Sequence, residues 1–252
     1  MPGWESTIMR RLPPQESPRW FMTGKNSSVC RISPDDFPEE MYASARCFHT
    51  SGITLALGGQ ARATAVSMMK RFKEQGALIS FDVNFRGNLW TGEEARACIE
   101  EILPLVDIFF CSEDTARLTF RKEGSLREIM KSFTREYPIA VVASTRRVVH
   151  SPRRHSFGSL IYSGETDTFY EEEPYENIEV LDRIGSGDAY VAGALYGLLT
   201  DWAHPRKAVA MGNAAAAVKN TVAGDLPCMT LAEMEALIRE HHSQGPAAEM
   251  RR

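Results

Sequence analysis

The stretch DRIGSGDAYVAGALYGLL (residues 182–199) joins a glycine turn to a run of small and apolar residues. Gly185, Ser186 and Gly187 form the turn, and Asp188 follows it directly. The run predicts a helix that packs closely against its neighbours, because several members are small: Ala189, Ala192, Gly193 and Ala194. The first N–H groups of a helix have no partner inside it and carry the positive end of its dipole. Because glycine has no Cβ to block an approaching group, the turn is predicted to bind an anion.

Other glycine motifs do not fit this stretch. A dinucleotide-binding fingerprint would need a third glycine where Tyr190 stands. The Gly-Lys-Ser/Thr of a P-loop and the Gly-x-Ser-x-Gly of a hydrolase are absent from the sequence. One structural alternative stays open, in which Asp188 only caps the helix.

The rest of the chain alternates between predicted strands and predicted helices. Strands are predicted at residues 45–52, 77–84, 107–112 and 139–145. Helices are predicted at residues 60–76, 91–106, 112–120, 125–137, 204–220 and 231–242. This alternation is typical of an α/β fold with a mainly parallel sheet covered by helices. Two extended, antiparallel segments are expected around Gly164, at residues 159–163 and 167–175.

The composition narrows the class of protein. The 252 residues are 43% hydrophobic and 25% charged, and the net charge is −4, so nucleic acid is not an expected partner. No apolar run is long enough to predict a membrane span. Five scattered cysteines without a Cys-x-x-Cys pair indicate reduced thiols, and we expect a cytoplasmic protein without a metal cage.

A second motif, FDVNFRGNLW (residues 81–90), closes a predicted strand. If the strand stays extended, Asp82, Asn84 and Arg86 lie on one of its faces. A planar guanidinium suits a carboxylate, so the three side chains predict a site for an acidic substrate. The alternatives are a buried structural acid for Asp82 and an ordinary surface charge for Arg86.

The first motif resembles the C-terminal signature of the ribokinase-like (PfkB) carbohydrate kinases. The second is similar to the Asp-x-Asn-x-Arg-x-x-x-Trp pattern of the 2-keto-3-deoxygluconate kinases within that family. The resemblance runs from about residue 25 to about residue 237 and implies a ribokinase-like, three-layer α/β/α fold. It also implies ATP-dependent phosphorylation of 2-dehydro-3-deoxy-D-gluconate to its 6-phosphate. Gly185, Ser186 and Gly187 would form the anion hole, Asp188 would be the base, and Arg86 would bind the sugar acid with Asn84 and Asp82.

The resemblance extends to the nucleotide and the metal ion. It implies that ATP is bound by the turn glycines Gly185 and Gly187 and by four further residues: Ser144, Thr145, Asn213 and Gly224. Asn213 has an alternative role as a polar residue on a helix of small residues. Magnesium would be held largely by the ATP phosphates and by water, with no ligand set from the protein.

The sequence departs from the family at its front. Nothing resembles the N-terminal strands and the lid, and Gly24 stands where a second sugar-acid arginine is expected, with Lys25 as the substitute. The Asn-x-x-Glu segment that helps organise magnesium is replaced at residues 112–115. We therefore expect a poorly ordered segment (1–24), a partial kinase domain (25–242) and a tail (243–252).

Because of these departures from the family pattern, two other functions remain open. One is a different PfkB sugar kinase, and the other is a truncated, non-catalytic remnant that binds a nucleotide or a partner. The oligomeric state is not readable, so a homo-oligomer is left open.

Overall fold

A computed structural model of the chain describes residues 27–243. These residues form two compact units. The first comprises residues 27–109, 114–123 and 136–139, and the second comprises residues 110–113, 124–135 and 140–243. The predicted N-terminal segment, Lys25 and all of the predicted tail except Ser243 lie outside the described residues.

The helices follow the predicted alternation closely. In the described part of the chain the α-helices are α1 (Glu39–Ser44), α2 (Gly52–Ala56), α3 (Gly59–Glu74), α4 (Gly92–Ile102), α5 (Glu113–Leu118), α6 (Leu126–Glu136), α7 (Ser186–Thr200), α8 (Arg206–Asn220) and α9 (Leu231–Ser243). Short 3-10 turns occur at Ser28–Arg31, Pro34–Asp36 and Leu103–Leu105. No helix within residues 27–243 combines the length and the apolar character that a membrane span requires.

The strands are β1 (Cys47–Ser51), β2 (Leu78–Asp82), β3 (Ile108–Phe110), β4 (Val141–Ser151), β5 (Arg154–Ser163), β6 (Thr168–Glu171) and β7 (Tyr175–Glu179). In the first unit β1 and β2 are parallel, as predicted, with Thr50 opposite Phe81. Local chemistry explains where the next helix begins: the Thr91 hydroxyl accepts the Glu94 N–H, and the Glu94 carboxylate accepts the Thr91 N–H.

The second unit contains the antiparallel part of the fold. β5 pairs with β4 along its whole length and also pairs with β6 and β7. The expected antiparallel arrangement around Gly164 is confirmed, but β4 continues to Ser151 and β5 already begins at Arg154. The many polar residues in this hairpin led the sequence-based prediction to make both strands too short. Because β5 lies between strands on both sides, even its serines are buried.

Helices α7 and α8 pack closely through their glycines, as the small residues of the first motif predicted. A Cβ on Gly193 would lie 2.4 Å from the Met211 carbonyl oxygen. A Cβ on Gly197 would lie 2.4 Å from the Ala208 Cα. Both contacts are with backbone atoms of α8, so neither position has room for a side chain.

Candidate active site

The glycine turn before α7 depends on a conformation that other residues adopt at a cost. Gly185 is the N-cap of α7 with φ 74° and ψ 1°, in the left-handed region. A Cβ at this position would lie 2.3 Å from the Asp225 carbonyl oxygen. The Gly185 carbonyl accepts the Ala189 N–H at 2.8 Å, which starts the helix. The turn therefore requires glycine at Gly185 for both its backbone angle and its contact with Asp225.

The first turn of α7 is open next to Gly187. A Cβ on Gly187 would meet no atom within 4 Å, and both Gly187 and Asp188 are exposed, whereas Ser186 is buried. No side chain caps the helix, since its N-cap is a glycine. The Ser186 N–H donates to the Arg183 carbonyl oxygen at 3.2 Å. The N–H groups that follow it, those of Gly187 and Asp188, are available to an anion that approaches over Gly187.

Asp188 is the third residue of α7 and lies in its first turn, not at the N-cap. The interpretation of Asp188 as the capping residue is therefore wrong, because Gly185 occupies that position. The helix dipole still favours a carboxylate in the first turn. Being exposed, this carboxylate can be reached by a bound hydroxyl group.

Asp182 and Lys219 hold the turn against the loop that follows α8, and neither was among the predicted site residues. The Asp182 carboxylate accepts the Ile184 N–H at 3.0 Å and the Gly224 N–H at 3.3 Å. The fully buried Lys219 ammonium donates to the carbonyl oxygens of Asp182 at 3.1 Å and Val222 at 3.0 Å. Asp182 starts the quoted motif, so a signal existed. Lys219 is a single lysine within a predicted helix, so no sequence signal pointed to it.

The predicted nucleotide residues of the second unit differ in their exposure. Gly224, with φ +88°, has no atom within 4 Å of a Cβ position, so the backbone there is open. Ser144 is buried on β4, and Thr145 after it is half-buried. Asn213 is fully buried, and its amide donates to Glu172 Oε1 at 3.3 Å. The roles of these residues in ATP binding stay predictions. In this conformation the Asn213 amide is hydrogen-bonded to the Glu172 carboxylate.

Tyr190 fills the interior beneath the turn, at the position where a dinucleotide motif would have glycine. Its ring packs against Phe110 at 6.0 Å and Phe157 at 5.8 Å between centroids. Burial raises the pKa of Tyr190, so the phenol stays protonated. This bulky side chain gives the start of α7 a rigid support.

The predicted substrate residues Asp82, Asn84 and Arg86 lie in the first unit. The expectation that they share one strand face is wrong, because β2 ends at Asp82 and Asn84 has φ 37°. The Asp82 carboxylate accepts the Asn84 N–H at 3.1 Å, which stabilises this turn. The turn leaves Arg86 exposed, with its guanidinium donating to the Phe85 carbonyl at 3.1 Å. Their roles in binding a substrate stay predictions.

The segment that replaces the magnesium-organising motif begins α5. Asp114 is exposed in the first turn of this short helix, where a negative charge is favoured. Within residues 27–243 no group of three or more histidine, cysteine, aspartate and glutamate side chains is arranged to hold a metal ion.

The sequence matches, over residues 21–231, the family described as pfkB family carbohydrate kinase. It is 31% identical over 214 residues to the 2-dehydro-3-deoxygalactonokinase of Haloferax volcanii, with 85% of this chain and 64% of that protein covered. It is 24% identical over 203 residues to the 2-dehydro-3-deoxygluconokinase of Bacillus subtilis, with 80% and 59% covered.

Solved structures resemble the fold as well. A PfkB family carbohydrate kinase from Listeria grayi gives a TM-score of 0.78 at 30% identity, and covers 84% of this chain and 66% of its own. The 2-dehydro-3-deoxygluconokinase of Thermotoga maritima gives a TM-score of 0.78 at 27% identity, with the same coverage. These similarities confirm the expected ribokinase-like α/β fold. The chain spans slightly less than two thirds of each of these two solved chains.

Proposed function

Because the chain belongs to the pfkB family of carbohydrate kinases, we propose that it is an ATP-dependent sugar kinase. The proposed reaction transfers the terminal phosphoryl group of ATP to the 6-hydroxyl of 2-dehydro-3-deoxy-D-gluconate. The observation that carries this proposal is the start of α7, where an open glycine turn is followed at once by the exposed carboxylate of Asp188.

Each part of this turn has a chemical task in the proposed reaction. The N–H groups around Gly187 stabilise negative charge on the transferred phosphoryl group. Asp188 orients the sugar hydroxyl and accepts its proton as the oxygen–phosphorus bond forms and ADP leaves. Phosphoryl transfer depends mainly on positioning and charge neutralisation, which suits a turn held rigidly by Asp182 and Lys219.

A sugar acid is the proposed substrate class because of Arg86. Its exposed guanidinium offers a planar pair of donors to a carboxylate, and it belongs to the motif shared with sugar-acid kinases. The Haloferax relative is named for the galactonate, whose kinase is therefore the second candidate activity. Both candidates place the same acid group on the substrate.

The proposed nucleotide residues are Gly185, Gly187, Ser144, Thr145, Asn213 and Gly224. The open backbone at Gly187 and Gly224 fits an approaching phosphate group. Magnesium, when bound, would neutralise the phosphate charge and would be held by ATP oxygens and water. A cytoplasmic location stays a prediction from the scattered cysteines.

Replacement of Asp188 by asparagine tests the proposed function. We expect ADP release with the sugar acid to fall at least about a hundredfold in Asp188→Asn, because the amide cannot accept the hydroxyl proton. Asp201→Asn is the matched control, since Asp201 is an acid at the other end of α7. Its activity should equal that of the unmodified chain.

The same assay separates the alternatives. Equal background phosphorylation in the unmodified chain and Asp188→Asn would contradict the kinase proposal and favour a non-catalytic nucleotide- or partner-binding protein. A preference for ribose, fructose or a nucleoside over both sugar acids would retain the kinase and reject the substrate class.

A further inference from the structure

The Arg147 side chain projects from the face of the sheet that carries α7. In the β4–β5 pair Arg147 lies directly opposite Phe157. Residues that face each other across antiparallel strands project on the same side of the sheet. Phe157 packs against Tyr190 of α7, with 5.8 Å between the ring centroids. The Arg147 side chain therefore lies on the side of the sheet where α7 begins.

Arg183 brings a second positive charge to this region. It precedes the Gly185 turn by two residues, and its side chain is exposed. Arg147 is also exposed to solvent, but its partial burial, and then the charge of Arg183, lower the pKa of its guanidinium. The charge of Arg183 therefore acts on Arg147, although guanidinium groups remain charged at neutral pH.

A buried histidine lies beside the two arginines. His155 precedes Phe157 by two residues, so it projects from the same face of β5. Its side chain is 4% exposed, and its Nδ1 atom has no hydrogen-bond partner among the described residues. Burial lowers the pKa of His155, and the charges of Arg147 and Arg183 lower it further. The charges that shift the pKa of His155 are therefore all positive.

Two nearby acids, Glu176 and Asp182, are engaged elsewhere. The Glu176 carboxylate accepts the Ser156 hydroxyl at 2.6 Å and lies 4.0 Å from His150. The Asp182 carboxylate accepts two backbone N–H groups. Among the ion pairs of residues 27–243, none involves Arg147 or Arg183. Two neighbouring cations without a counter-ion are typical of a site for a multiply charged anion.

We propose that Arg147 and Arg183, here named the arginine pair, bind the triphosphate of the nucleotide beside the start of α7. This inference rests on the proposed kinase function and adds two residues that the motifs did not identify. The planar guanidinium of each residue contributes parallel donors to phosphate oxygens, and the helix N-terminus contributes its N–H groups. The adenosine part of the nucleotide makes no contact with the arginine pair.

Calorimetric titration of the whole chain tests the arginine pair with three probes: ATP, inorganic tripolyphosphate and adenosine. We expect Arg147→Gln and Arg183→Gln each to weaken ATP and tripolyphosphate binding by about tenfold or more, since each loses charged hydrogen bonds. Adenosine binding should not change. Arg146→Gln is the matched control, because Arg146 lies opposite Gly158 and projects from the other face of β4.

The outcomes separate the arginine pair from the proposed function. Unchanged ATP and tripolyphosphate affinity in both glutamine variants would overturn the proposed role of the arginine pair, even if kinase activity is present. Tripolyphosphate binding that depends on the pair, in a chain without kinase activity, would support the pair and reject the proposed function. An unmodified chain that binds neither phosphate probe, or an equal loss of adenosine binding, would also overturn the pair. Circular dichroism of each variant excludes misfolding. Arg147→Lys and Arg183→Lys, which keep the positive charge, should retain part of the affinity.

Discussion

Gly185 and Gly187 are two residues apart in the chain, but only the surroundings of Gly185 require glycine. Gly185 has a left-handed backbone, and the Asp225 carbonyl lies against it. Gly187 belongs to the helix and has open space around it. The first glycine serves the fold, whereas the second leaves room for a ligand.

Gly185→Ala is expected to destabilise the protein by about 2–3 kcal/mol, because alanine strains the left-handed backbone and its Cβ collides with Asp225. The free energy of unfolding in urea measures this loss. A loss below about 0.5 kcal/mol would show that the Asp225 loop moves aside at little cost.

Gly187→Ala should behave in the opposite way. Stability should stay equal or rise by up to about 1 kcal/mol, since alanine favours a helix more than glycine does. Tripolyphosphate affinity should fall, because the methyl group occupies the space over the N–H groups. Urea unfolding and calorimetry on the same sample check both expectations, and unchanged affinity would contradict the proposed anion approach.

Arg86→Ala should lower kcat/KM for the sugar acid roughly thirtyfold, because a lost charged hydrogen bond costs about 2 kcal/mol of transition-state stabilisation. Activity with a neutral sugar should change far less. Because Arg86 is exposed, stability should be unaffected. Lys70→Ala, on the exposed side of α3 in the same unit, is the control for a lost surface charge. An equal loss with acidic and neutral sugars would reject the role of Arg86.

At the scale of elements, the contact between α7 and α8 depends on backbone-to-backbone approach. Gly197→Ala would place a Cβ 2.4 Å from the Ala208 Cα, and a helix backbone cannot yield as a side chain can. We expect a loss of about 1–3 kcal/mol in stability, measured by thermal unfolding. Ala192→Ser, on the exposed side of α7, should change stability by less than about 0.5 kcal/mol.

The elements also show why some sequence predictions were wrong. Helix α4 begins where its capping residues predict, because Thr91 and Glu94 are neighbours in the chain. The end of β2 was misjudged, since alternation alone does not reveal the positive φ of Asn84. The length of the β4–β5 hairpin was underestimated because burial of its polar residues depends on β6 and β7, which follow later in the chain.

At the scale of the whole molecule, buried and half-buried thiol and phenol groups link stability to alkaline pH. Burial, with a smaller contribution from Asp107, raises the pKa of Cys47 to about 11, and burial also raises the pKa of Tyr42 and Tyr137. Above pH 9 the unfolded chain loses these protons before the folded chain does. Stability should therefore be fully present below pH 9 and should fall as the pH rises towards 11.

Urea unfolding at pH 8, 9, 10 and 11 measures this dependence. Cys47→Ala removes one of the titrating groups, so the loss of stability between pH 9 and 11 should become smaller. An unchanged loss would show that Cys47 does not contribute. A stability that rises over this interval would contradict the direction assigned to the whole set.

The sequence by itself determined the strand–helix alternation, the glycine turn, the family and the residues of the two motifs. These features depend on residues that are close in the chain, so their chemistry is readable there. Tertiary structure alone decided that Gly185 lies against Asp225 and that Lys219 supports the turn. It also decided that the Arg147 side chain lies on the face of the sheet that carries α7. The underlying contacts, Gly185–Asp225, Asp182–Lys219 and Phe157–Tyr190, join residues 40, 37 and 33 positions apart, and the packing of strands and helices brings them together.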